Sequence, residues 1–283
     1  MPLTRMYEET EVSSDLQRVY GDIRASFDVP WVPSTFKLAA GCPAYLKTMW
    51  DDLGPVARSK EFQTASRALE EFVRSLAVSD GWHFSSQARL LAAQKFSIGD
   101  IEQLGGILSV FLRSIPKLVL FSRLMQRGYS GGQSGRVSAG KQASALARMM
   151  TLNVPNEREA GIRTWLIYND IRKAFGMKNV STLFRVISPY PGYLASVWMD
   201  SKKLMSQPTF VRAKDEVSRR SLGLVAGLPV RDHRKHLKDM SPDQWRDVEE
   251  MVDNFARLAP QFALVAAVWQ RSFPQYASQN VAA

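Results

Sequence analysis

The chain has 283 residues, 45% of them hydrophobic and 23% charged, a composition typical of globular proteins and a length that suits about two domains. Its net charge of +10 raises the question of nucleic acid or an anionic membrane surface. The basic residues are interleaved with acids along amphipathic segments, and no zinc-finger, RNA-binding or basic-arm pattern accompanies them, so nucleic acid is excluded as the expected partner.

The single cysteine, Cys42, precludes an intramolecular disulfide, and its apolar setting before Pro43 reads as packing rather than nucleophilic chemistry. Residues 1–15 contain no apolar core of a signal peptide. Apolar runs are interrupted by Arg113, Lys117 and Arg123 or stop short of bilayer length at 262–269, so no membrane span is expected. The expected location is cytoplasmic.

In chain order, Ser13 and Ser14 can cap a helix running to Phe27, with Leu16, Val19, Tyr20 and Ile23 at helical spacing. The turn at 29–32 breaks it, because proline disfavours the helical region for the residue before it. Pro33 suits the first turn of a short helix to Ala40, and Pro43 opens another to Trp50. Leu53-Gly54-Pro55 reads as a stop. Residues 60–78 place Phe62, Ala65, Leu69, Phe72, Val73 and Leu76 on one face, and a helix is expected over 84–95. Ser97 caps the most periodic segment, with Ile101, Leu104, Ile107, Leu108, Phe111 and Leu112 on one face; Pro116 should kink or restart it. Residues 127–142 are Gly/Ser-rich and basic, a linker whose glycines lack phosphate-loop spacing. Sustained period-2 alternation and βαβ rhythm are missing, so the chain is expected to be all-α.

A repeat organises these elements. Residues 20–50 align without a gap to residues 168–198, at an offset of 148, with eleven of 31 positions identical. Among the identities are Tyr20/Tyr168, Phe27/Phe175, Phe36/Phe184, Pro43/Pro191 and Trp50/Trp198. A second echo, offset by 144, pairs Ser97 with Ser241, Phe111 with Phe255 and Pro116 with Pro260. Two blocks in the same order imply a duplicated unit, since each copy needs a surface to bury against. The expected organisation is helical repeat 1 over 10–127, a linker over 128–155, and helical repeat 2 over 156–275.

Few residues promise chemistry. His233 and His236 lie in the cationic run 231–236, which reads as an exposed basic helix rather than a metal site. His83 has no nucleophile or carboxylate beside it. Asp22 and Asp170 head a repeated Asp-Ile-Arg and are expected to pair or cap within their own helices. Sites on duplicated scaffolds come from what differs between copies, and the sharpest difference is Trp31 against Asn179.

The stretch VPWVPSTFKLAAGCPAYLKTMW, preceded by YGDIR, resembles the all-helical group I DL-2-haloacid dehalogenases, which are unrelated to the Rossmann-like haloacid dehalogenases. The resemblance covers almost the whole chain. It implies an all-α pseudo-dimer of two repeats with the active site between them, where an aspartate activates water for direct displacement of halide. Carried over, the pocket tryptophan is Trp31, the catalytic aspartate's position falls on Leu183, the pocket asparagine's on Ile115 and the pocket tyrosine's on Phe255. Residues 180–187 contain no carboxylate. Leucine cannot activate water, and general-base catalysis contributes roughly 10²–10⁴-fold.

Three readings follow. One is a hydrolase-like small-molecule enzyme of this lineage whose chemistry has moved, with Ser34, Thr35 and Thr182 as polar supports around the cleft. The alternative is a non-catalytic protein holding an apolar ligand between Trp31, Ile115, Leu183 and Phe255. The third is an interaction scaffold with the cleft packed shut. A small molecule is the expected partner, no metal or cofactor is called for, and a homodimer is left open.

Overall fold

The computed structural model describes residues 3–84, 87–94, 96–140 and 154–274. Among these, every regular element is helical, and the one β-type contact is an isolated bridge between Gln133 and Val230. The fold is all-α.

Helix α1 (Ser14–Phe27) ends where Asp28 takes up left-handed geometry at φ 56°. Short α2 (Ser34–Ala39) follows Pro33, and α3 (Pro43–Arg58) opens on its proline, whose missing N–H would have no partner in a first turn. The expected stop at Pro55 does not occur. Leu53, Val56 and Ala57 are buried on either side of it against α1 and the next helix, and burying the leucine and valine gains about 1.5–3 kcal/mol each. That gain offsets an interior proline, which costs roughly 3 kcal/mol. The break comes instead at Ser59, whose hydroxyl caps α4 (Lys60–Ser79) by accepting from the Phe62 amide. In the segment expected over 84–95, α5 spans Gln87–Ala93; residues 85, 86 and 95 lie outside the described residues.

Helix α6 (Ile98–Tyr129) runs 32 residues from a capping box of Ser97 and Asp100. The second half supplies α7 (Ile162–Phe175), short α8 (Thr182–Arg185), α9 (Pro191–Met205), α10 (Pro208–Val225), the single turn α11 (His233–His236) and the 31-residue α12 (Pro242–Ser272), which opens on a capping box of Ser241 and Gln244. Pro116 and Pro260 lie inside α6 and α12, and neither proline restarts its helix. These two helices make the most extensive contact in the fold. By length and composition α6 could cross a membrane, but most of that stretch is buried inside the protein.

The stretches that echo in sequence build the same local packing. Phe36 meets Trp50 edge-on at 5.9 Å between ring centroids, and Phe184 meets Trp198 edge-on at 5.5 Å. Phe27 and Phe175 complete the two triads, and both tryptophans are buried. Arg24 pairs with Glu9, and Arg172 pairs with Glu157 at 3.0 Å. Both acids sit in 3-10 turns, Glu9–Glu11 and Glu157–Glu159, at the same offset of 148.

Three expectations are corrected. Asp22 and Asp170 pair across helices rather than within them: Asp22 reaches Arg58 at 3.7 Å, and Asp170 accepts from Trp198 Nε1 at 2.7 Å and from Lys202 at 2.8 Å. The helices α1 and α7 turn their Asp toward the following long helix, which brings the partner nearer than any on the same helix. His233 is not exposed: it is fully buried, with Nε2 3.1 Å from Asp52. Third, part of the expected linker belongs to α6, which extends to Tyr129, since the apolar face continues past residue 127 as far as buried Gly128. Residues 133–140 carry no helix and are tied down by the Val230 bridge and by Ser138 donating to Glu61. Residues 141–153 of that linker lie outside the described residues.

Candidate functional site

Pro33 before α2 and Ser181 before α8 start these short helices at positions 148 apart. Their first two residues, Ser34-Thr35 and Thr182-Leu183, face a common cavity of about 230 Å³. α6 contributes Phe111, Ile115 and Leu118 to its wall, and α12 contributes Met251, Phe255 and Leu258. Trp31 closes one side, stacked on Phe111 with 4.7 Å between ring centroids. The N-terminal segment crosses the cavity with Leu3, Thr4 and Met6. It is held by Asn179 Nδ2 donating to Thr4 O at 2.8 Å and by the Tyr7 amide donating to Lys37 O at 3.1 Å.

All seven residues named from sequence lie on this cavity: Trp31, Ile115, Leu183 and Phe255 among its apolar surfaces, and Ser34, Thr35 and Thr182 among its hydroxyls. The cleft is therefore not packed shut. Trp31 and Asn179, the strongest difference between the repeats, are both lining residues. Sequence reasoning missed the N-terminal segment, which carries no periodic signal. It also missed Asp247, Glu250 and Asn254; of these only Asp247 follows from extending the Phe255 face of α12 toward its N-terminus, in two steps of four residues.

The polar groups include a shared pair, an isolated hydroxyl and an acidic rim, beside Thr4, Ser114, Asn179, Ser181 and Asn254. Ser34 Oγ and Thr182 Oγ1 are hydrogen bonded at 2.9 Å. Thr35 is buried, and its Oγ1 has no hydrogen-bond partner. Leu183, the residue at the matching position in the other half, is equally buried and brings no polar atom. Asp247 and Glu250 stand one turn apart on α12, and exposed Lys178 is the cation among the described lining residues.

Charges beside the cavity are spent on structure. Lys37 and Arg185 occupy matching positions, are both buried, and share Glu8: Lys37 pairs with one carboxylate oxygen, and Arg185 lies 3.8 Å from the other. Burial pulls the Lys37 amine below its usual range, with the Glu8 bond opposing. Burial pushes the Glu157 carboxyl up, although the Val180 amide donates to it at 2.7 Å. His83 is exposed and contacts the Gly81 carbonyl at 3.1 Å, with no carboxylate paired to it among the described residues. Among the described residues, no cluster of His, Cys, Asp and Glu could hold a metal ion.

Residues 30–182, more than half of the chain, match the family model described as "Halocarboxylic acid dehydrogenase DehI". The chain belongs to this family. Relatives of this DehI-type chain include an (R)-2-haloacid dehalogenase of Pseudomonas putida, 22% identical over 241 residues that make up 81% of this chain and 77% of that protein. A configuration-inverting 2-haloacid dehalogenase of Alcaligenes xylosoxydans xylosoxydans is 28% identical over 236 residues, 78% of this chain and 76% of that one. A solved D-2-haloacid dehalogenase in complex with L-LA superposes with a TM-score of 0.87 at 20% identity, covering 96% of this chain and 97% of that one, which shows a shared fold.

Proposed function

We propose that this DehI-type chain binds a small, largely apolar molecule in the cavity between its halves and does not hydrolyse 2-haloacids through an aspartate-activated water. One observation supports the reading: Leu183, which the family resemblance sets at the catalytic aspartate's position, is 1% exposed and lines the cavity beside Ile115 and Phe255. Displacement of halide by water needs a base to take the proton, and a leucine side chain has no lone pair to offer. The apolar faces of Trp31, Phe111, Ile115, Leu183 and Phe255 instead suit a bound hydrocarbon. The test is free halide released from each enantiomer of 2-chloropropionate, beside a working relative under the same conditions. The expected result is no release above the uncatalysed background; a rate comparable to the relative's would overturn the proposal.

A second reading has its own support. Asp247 and Glu250 line the same cavity, and either carboxylate is chemically able to activate water. A relocated hydrolytic centre would make turnover of some substrate depend on these residues, so Glu250→Gln would abolish it. Turnover unaffected by that change and by Asp247→Asn would remove this reading.

A further inference from the structure

We infer that the cavity selects an uncharged hydrocarbon bearing one hydrogen-bonding oxygen, and that Thr35 is the residue that reads that oxygen. The inference rests on the binding reading above and adds to it the class of ligand.

Thr35 is 4% exposed, and its Oγ1 is left without a partner. Buried serine hydroxyls on helices here are served locally: Ser66 donates to the Phe62 carbonyl at 2.7 Å, and Ser201 donates to the Val197 carbonyl at 2.6 Å. Thr35 is the second residue of α2, so the residues three and four positions back belong to the extended turn at 31–32 and not to a helical turn behind it. A buried hydroxyl left unserved is unfavourable, and such groups in native folds call for an explanation.

The surroundings narrow the partner. Ser34 and Thr182 serve each other, Ser114 turns back to the Phe111 carbonyl, and Leu183 offers nothing polar, so Thr35 supplies an unpaired hydroxyl beside the apolar surface. Size sets a second limit: an apolar cavity of about 150 Å³ accommodates benzene, and at about 230 Å³ this one has room for a substituted ring. Charge sets a third. Among the described lining residues the one cation, Lys178, is exposed and the acids are Asp247 and Glu250, so an anionic head would give up water without a buried cation to meet it.

Three probes of one shape separate these features: toluene has the ring alone, p-cresol adds a hydroxyl, and p-toluate adds a carboxylate. Calorimetric titration of the full chain should find p-cresol at least ten times tighter than toluene, with p-toluate not binding. In Thr35→Val, which keeps the shape and removes the hydroxyl, p-cresol should fall to the affinity of toluene while toluene is unchanged. Thr35→Ser, which keeps a hydroxyl, should retain the preference and serves as the control if the valine variant does not fold. Equal binding of p-cresol and toluene to the unaltered chain overturns the inference and leaves the binding reading intact. Tightest binding by p-toluate also overturns it, in favour of an anion site. No binding by any of the three overturns the binding reading itself, and this inference with it.

Discussion

Ser34 Oγ and Thr182 Oγ1 lie 2.9 Å apart, and the residues that carry them are separated by 148 positions, the same offset that relates the two sequence copies. Corresponding residues of the two copies therefore touch, at the starts of α2 and α8, where both helices meet the cavity. Each hydroxyl is the other's partner. Removing one should strand its mate, whereas removing both leaves nothing unserved. Ser34→Ala and Thr182→Val are each expected to cost about 1 kcal/mol, and the double variant less than their sum by about 0.5–1 kcal/mol. Urea unfolding of the four proteins measures this coupling; strict additivity would show that the contact is not energetically shared.

Thr35 predicts a change of the opposite sign. Replacing its stranded hydroxyl by the methyl of valine removes the cost of burying it and keeps both the volume and the β-branch. Without ligand, Thr35→Val should be more stable than the unaltered chain by on the order of 1 kcal/mol. Thermal unfolding reads the difference, and a loss of stability would show that the hydroxyl is satisfied in solution.

What sequence reveals here depends on whether the determining partner is near in the chain or repeated in it. The Ser97 cap and the face through Ile101, Leu104 and Leu108 are local, and α6 starts where they say. Trp31 against Asn179 was found because the repeat sets one copy against the other, whereas Leu183 came from the family resemblance, with Ser34, Thr35 and Thr182 named beside it as polar supports of the cleft. Pro55 misled because its local cost is opposed by tertiary packing of Leu53 and Val56. His233 misled because its neighbours in sequence are basic while its partner, Asp52, is 181 residues away. Nothing local to residues 3–6 signals that they cross the cavity.

The paired aspartates differ in their surroundings. Asp170 accepts from the indole of buried Trp198 and from Lys202, and those bonds, Lys202 first, hold its carboxyl below the ordinary 3.8. The matching Trp50 Nε1 has no partner, and Asp22 makes only a 3.7 Å pair with Arg58. Asp170→Asn should cost about 1 kcal/mol near neutral pH, a charge-assisted bond discounted for the partial exposure of the carboxylate. Asp22→Asn should stay within about 0.5 kcal/mol. Because the folded-state value of Asp170 is depressed, its contribution is complete above 3.8 and is lost as pH falls below that through the folded value. The gap between Asp170→Asn and the unaltered chain should close in that acidic window; a gap that persists there would assign the cost to packing.

Gly128 reports on the buried histidine. A Cβ at this position would approach the His233 ring to 2.3 Å, and that ring is held by Asp52 and fully buried. Helix propensity alone would make Gly128→Ala favourable by about 1 kcal/mol. The clash should reverse the sign and destabilise by roughly 1–3 kcal/mol. A stabilised alanine variant would show that His233 can leave its place beside Asp52 without consequence.

Returning a carboxylate to the cavity tests both its environment and its ancestry. Leu183→Asp places an acid where the native side chain is 1% exposed, and Ile115→Asn adds the amide that the family resemblance implies. Loss of the leucine's contacts should cost roughly 2–5 kcal/mol at every pH. A second cost depends on pH. Desolvation raises the folded-state value of the new carboxyl above its ordinary value of about 3.9. The charged form is therefore the disfavoured one: this cost is absent below about 3.9, grows as pH rises toward the raised value, and levels off above it. Urea unfolding of the double variant should show a deficit against the unaltered chain that widens through that window. Any release of halide from 2-chloropropionate by the folded double variant should rise with pH through the same midpoint, because only the ionised carboxylate can take a proton from water. Release that is flat across the window would place the base elsewhere, and a deficit independent of pH would show that the new carboxylate escapes to solvent instead of facing the cavity.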